Sequence, residues 1–147
     1  MKLKFETIVN KNFLEIKNGF NRELFLFLKP PGVSVELERF DGCSPGNEVH
    51  LLLNTVGLKQ NWRSLITAES QTEKEWSFID EGKLLPWPLS TWKHHHRVVF
   101  LDDQSSKIID DITYGCSPSL MGPLMYPVLW ASFAVRPAKY KEFFEGR

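Results

Sequence analysis

Cysteine is scarce in this sequence. There are two, Cys43 and Cys116, far apart and in no C-x-x-C pattern. A disulfide framework and a zinc knuckle are therefore not expected, and two reduced thiols fit a cytoplasmic protein. Long apolar runs are also missing: the longest, Leu24 to Leu28, falls far short of the roughly 20 residues of a membrane-spanning helix. The opening Met1-Lys2-Leu3-Lys4-Phe5-Glu6 alternates charged and apolar side chains, so no signal peptide is expected. Neither sign of charge dominates. The 18 basic and 18 acidic residues cancel, leaving no electrostatic footprint for nucleic acid or an anionic membrane. There is no internal repeat, no G-x-S-x-G elbow and no phosphate-cradling glycine loop.

What is abundant is aromatic surface, with 11 Phe, 5 Trp and 3 Tyr in 147 residues. Rings at this density need a large core, a lined cavity or an interface. The length fits one domain, residues 1–147, and a chain of this size buries about two-thirds of its unfolded surface.

Patterning gives the order of elements. Leu3, Phe5, Thr7 and Val9 alternate with Lys2, Lys4 and Glu6, which predicts a strand. Asn12 with Glu15 three residues on resembles a capping box, and Gly19 can close that short helix in a left-handed conformation. Asn21 can cap a second helix, Arg22 to Leu28, stopped by Pro30-Pro31; a buried strand stays open as the alternative for Leu24–Leu28. Strands then follow over 33–40, 48–53, 61–69, 75–80, 92–101 and 107–114, separated by turn signals such as Asp41-Gly42 and Pro45-Gly46, the pattern of an antiparallel meander. Pro86-Trp87-Pro88 reads as an apolar loop. Pro127 reads as the first residue of the main terminal helix. Leu129, Phe133, Tyr140 and Phe144 form its apolar stripe, Pro137 is expected to kink it, and Gly146 to end it. The expected class is α+β: a curved antiparallel sheet gripping a long C-terminal helix, with two short helices after the first strand. A sheet curled round a helix can leave a ligand-sized hollow.

Three stretches carry a resemblance to a known family. Trp92-Lys93-His94-His95-His96-Arg97 matches a W-x-H-x-H strand. Ile109-Asp110-Asp111-Ile112-Thr113-Tyr114 matches a following D-[DE]-[VI]-x-Y strand. Met121-Gly122-Pro123-Leu124, leading to Phe133-Ala134-Val135-Arg136, matches a glycine-containing approach to a helix with F-x-x-R. With the strand order, these make the whole chain resemble the SRPBCC superfamily, which includes START lipid-transfer domains, pollen allergens and polyketide cyclases. It looks most like its bacterial ligand-binding members. The resemblance implies a helix-grip fold and a small apolar ligand or lipid, without an established activity.

Period two places Trp92, His94, His96, Val98 and Phe100 on one face of their strand and His95 on the other. Pairing of His94 or His96 with Asp110 or Asp111 would give an imidazole–carboxylate couple able to move a proton; ordinary core histidines are the alternative. These four are the candidate catalytic residues. A metal site from His94, His96 and an aspartate is the sharper form, set aside because a single H-x-H without further patterned ligands is weak; no metal or cofactor is expected. Trp62, Trp76, Phe78, Trp92, Trp130 and Phe133 are the expected cavity walls beside His94 and His96. Arg136 reads as a salt-bridge former or a carboxylate clamp. The favoured reading is a carrier of a small apolar molecule. The alternatives are a cyclase- or hydrolase-type enzyme, or an interaction module of the chaperone-activator kind. The chain is expected to act as a monomer or homodimer, with no nucleic-acid partner and no stable membrane insertion.

Overall fold

The computed structural model describes residues 1–146. Its first strand, β1 (Lys2–Val9), is followed by the short helices α1 (Phe13–Asn18) and α2 (Arg22–Phe27). Six strands come next: β2 (Ser34–Phe40), β3 (Glu48–Thr55), β4 (Leu58–Gln71), β5 (Glu75–Leu84), β6 (Leu89–Asp102) and β7 (Ser105–Cys116). The chain ends in α3 (Met121–Ala134) and α4 (Arg136–Glu145). The strands form one antiparallel sheet in the order β1-β7-β6-β5-β4-β3-β2. This is a six-strand meander whose last member pairs with the first strand of the chain.

Local chemistry explains the boundaries. Asn12 caps α1 by accepting from the Leu14 N–H at 2.9 Å, and Asn21 caps α2 by accepting from Leu24 at 3.1 Å, each satisfying a donor the first turn leaves free. Gly19 ends α1 without the left-handed conformation expected of it, at φ −84°. Its role is space, since a Cβ there would lie 2.5 Å from Phe144 Cε1. The terminal helix also departs from expectation. It begins at Met121, not at Pro127, which sits inside α3. Pro137 does more than kink it: the helix breaks at Val135 and restarts with Pro137 in the first turn of α4, where a missing N–H costs least. Gly146 takes the left-handed cap, at φ 73°.

The sheet curves because its long strands are interrupted. Register shifts occur in β4 at Arg63/Ser64 and Ile66/Ala68, and in β6 at Leu89/Thr91 and Phe100/Asp102. Such bulges bend a strand and add local twist. α4 packs on β1, α3 on β7 and β1, and α1 on β6 and β7, so the helices lie across the concave side.

Packing there divides into two apolar clusters. One holds Val9, Ile16, Leu24, Trp76, Val98 and Tyr140. The other holds Leu3, Trp92, Ile112, Tyr114 and Leu129. Along β6 the inward residues run Trp92, His94, His96, Val98; along β7 they run Tyr114, Ile112, Asp110, Ile108. Each strand thus passes from one apolar cluster to the other through polar side chains. α3 contains no charged residue and leaves Leu124, Val128 and Trp130 exposed. Among the described residues, no helix is long and apolar enough to cross a membrane.

Candidate functional site

The polar band on the concave face is a consequence of strand period two and register. His94 and His96 are two residues apart on β6, so both point inward, and both are buried. Across the ladder, His96 stands opposite Asp110 on β7 and His94 opposite Asp80 on β5. The hydrogen bonds run diagonally instead. His94 Nε2 lies 2.7 Å from Asp110 Oδ1, and His96 Nε2 lies 2.6 Å from Asp80 Oδ2. The two imidazoles stack with centroids 3.5 Å apart and an interplanar angle of 24°. Their Nδ1 atoms are 3.8 and 3.9 Å from the opposite carboxylate. The rings therefore lie head to tail between two aspartates.

The terminal helix completes the cluster. Arg136, at the start of α4, donates from Nη1 to Asp110 Oδ1 at 3.2 Å, with its guanidinium 4.3 Å over the Phe133 ring. Tyr140, one turn on, donates its hydroxyl to the same oxygen at 3.3 Å. Burial is the strongest influence on these groups. It pushes His94 down to about 4, with the neighbouring His96 ring adding to the effect, so this imidazole is neutral near pH 7. It also pushes the Tyr140 phenol far up, keeping it a proton donor. For Asp110, burial alone would raise the pKa, but the Arg136 charge and the His94 hydrogen bond hold it well below the usual carboxylate range. Asp80 is likewise held down against its burial, by the His96 hydrogen bond, the two imidazoles and the Arg136 guanidinium. The result is one buried carboxylate, one partly buried carboxylate, one guanidinium and two imidazoles in a single cluster.

This cluster closes the inner end of a cavity of about 270 Å³ between the sheet and α3. Val35, Leu51, Leu53, Trp62 and Trp92 form its sheet wall, and Leu129 and Phe133 its helix wall. Trp62 and Trp92 meet edge to face at 4.8 Å, and Trp62 donates its indole N–H to Ser64 at 2.9 Å, so its donor is satisfied. Trp87, 68% exposed, stands at the rim. A second chamber of about 30 Å³, near the size of one water, lies beyond His96 and is lined by Phe20, Phe78, Cys43 and Tyr140. Burial raises the Cys43 thiol to about 12, so it faces that chamber as an unreactive, protonated group.

Most of the expected site residues converge here. Trp62, Trp92, His94, His96 and Phe133 line the main cavity, and Phe78 the small chamber. Two do not. Trp76 is buried in the neighbouring core, its indole N–H bonded to Glu69, because its position on β5 lies beyond the end of the hollow. Trp130 is half exposed on the outside of α3 and packs on Phe5 at 6.2 Å, since the opposite side of that helix carries Leu129 and Phe133. Between the two aspartates left open, Asp110 shares the inward face with Ile108 and Ile112, while Asp111 alternates to the other side of β7. Asp80 and Tyr140 were not foreseen as site residues. For Asp80 the signal existed: it continues the inward series Trp76, Phe78, Asp80. Asp80, His94 and His96 also form a group whose ligand atoms lie within 4.8 Å of one another.

No protein-family model matches the chain, and no curated protein matches it. Solved structures do. A START superfamily protein from Mycobacterium smegmatis superposes with a TM-score of 0.69 at 10% identity, over 99% of this chain and 97% of that one. Norcoclaurine synthase from Thalictrum flavum, a point mutant in complex with a transition-state analogue, gives 0.67 at 11% identity over 99% and 94%. The Zhui aromatase/cyclase from Streptomyces sp. R1128 gives 0.59 at 13% identity over 79% and 68%. Identities this low speak for architecture alone, and that architecture agrees with the helices gripped by the curved sheet: the chain has the helix-grip α+β fold of the SRPBCC type.

Proposed function

We propose that the chain binds one small, largely apolar molecule between the sheet and α3, with a single hydrogen-bonding group of that molecule directed at Asp80, His94 and His96. The observation that carries this reading is the cavity itself: walls of aliphatic and indole groups ending in one buried polar corner. Apolar area removed from water supplies the affinity, at about 25 cal/mol per Å². The corner supplies orientation, because a ligand that left these polar groups desolvated and unmatched would lose the energy of their hydration. The START and cyclase neighbours bear the same fold, which is compatible with ligand carriage.

The polar corner makes this a specific prediction. 2-Naphthol is expected to bind at least about tenfold more tightly than naphthalene, in fluorescence titrations, as one hydrogen bond to an ionised group is worth about 1.5–3 kcal/mol. Equal affinities would show that the corner does not hold the ligand.

One observation favours a second reading, an acid–base enzyme of the cyclase or hydrolase type. Each imidazole has a carboxylate partner and faces the cavity, the arrangement in which a histidine can take or give a proton at a bound substrate.

A further inference from the structure

His94 donates its Nε2 proton to Asp110, since the ionised carboxylate there can only accept. Its Nδ1 faces Asp80 Oδ2 at 3.8 Å. His96 Nε2 converges on the same Asp80 oxygen, and one ligand atom from each of the three residues lies within 4.8 Å of the other two.

We propose that Asp80 Oδ2, His94 Nδ1 and His96 Nε2 are the ligands of a first-row divalent cation of the zinc type, whose fourth position opens on the cavity. The expectation of no metal rested on a single H-x-H without further patterned ligands; Asp80, on the strand before the histidines, supplies a third donor that no local pattern reports. Two imidazoles and a carboxylate with one open position is a donor set such ions accept. Bonds of about 2.0–2.2 Å in a tetrahedral site set ligand atoms roughly 3.3 Å apart. The 3.8 Å separation would close and the 2.6 Å contact would open by similar small amounts, within reach of side-chain rotation.

The surroundings fit the ion as well. The cluster sets two carboxylates against one guanidinium. His96 Nδ1 is buried with no hydrogen-bond partner. With an ion on Nε2, the His96 proton moves to Nδ1, which lies 3.9 Å from Asp110 Oδ1. Asp110 would then accept from the outer nitrogen of both histidines, as carboxylates behind metal-bound imidazoles do, while Arg136 and Tyr140 hold it in place.

The site uses the same polar corner as the proposed ligand site but does not depend on what fills the cavity, so metal-stripped protein without ligand is the right sample. Calorimetry at pH 7.5 is expected to show one Zn²⁺ per chain. Co²⁺ should give the visible absorption of a four-coordinate site, and Zn²⁺ should abolish it. Asp80→Asn and His94→Gln should each weaken Zn²⁺ binding at least about 30-fold, and Asp110→Asn about 10–100-fold. His95→Ala, on the opposite face of β6, should leave binding unchanged. Zinc-edge absorption of the wild-type protein, expected to show two imidazoles and oxygen, needs no variant to fold. No saturable uptake by the wild type, a zinc shell without imidazole, or binding lost with His95→Ala but kept in His94→Gln would overturn the proposal. Binding of 2-naphthol to the same stripped protein separates failure of the metal site from failure of the ligand site.

Discussion

Arg136→Met is expected to destabilise the fold by about 3–5 kcal/mol in urea unfolding, the range for removing one partner of a buried ion pair. Asp110 is 1% exposed, and Arg136 is the only cation of the described chain that bonds it directly apart from the histidines. Without the guanidinium, the carboxylate must either stay ionised in an apolar surround or take up a proton and give up its role as acceptor for His94. Both cost energy. The pair itself need not stabilise the fold against an apolar alternative, because two desolvated charges recover little more than their hydration. The double variant Asp110→Asn/Arg136→Met should therefore recover at least half of the loss, a coupling that a double-mutant cycle measures directly. A loss below about 1 kcal/mol for Arg136→Met would mean that the two groups are solvated and that the corner is not dry.

Filling the hollow should separate binding from folding. Leu51 lies on β3, opposite Leu37 and Trp62, and faces the cavity. A tryptophan there can extend into space now empty of protein, so Leu51→Trp is expected to change stability by less than about 1.5 kcal/mol. Affinity for 2-naphthol should fall at least about 30-fold, or roughly 2 kcal/mol. Unchanged affinity would place the binding site elsewhere.

The fold was legible in the sequence to the extent that one element was enough to specify it. Alternation over Leu3–Val9, the asparagine caps at Asn12 and Asn21, and the turn dipeptides fix local structure through nearby atoms. They found all seven strands and both short helices. Strand ends were read short, as in β4 and β5, because pairing with a neighbour extends a strand past the point where its own alternation stops. The prolines were misjudged for a related reason. A missing N–H at Pro127 is tolerable in a helix held by packing on β7 and β1, and nothing within the segment reports that support.

The candidate site shows the same limit. His94 and His96 were readable as inward because period two acts within a strand, and the same rule separates Asp110 from Asp111 once β7 has a buried side. Asp80 and Tyr140 join the cluster only through register between strands and the docking of α4. The wrong placement of Trp76 and Trp130 has the mirror cause: both are large and apolar, but their distance from the hollow depends on where along the sheet it ends.

The central claim is that the space between sheet and α3 takes up a small apolar molecule. Its most direct test is the indole N–H spectrum of ¹⁵N-labelled protein during titration with 2-naphthol. The chain has five tryptophans, of which Trp62, Trp87 and Trp92 line the cavity and Trp76 and Trp130 do not. Saturable shifts of the first three are expected, with the last two still. Movement of Trp130 alone, or no saturable shift in any indole, would contradict it.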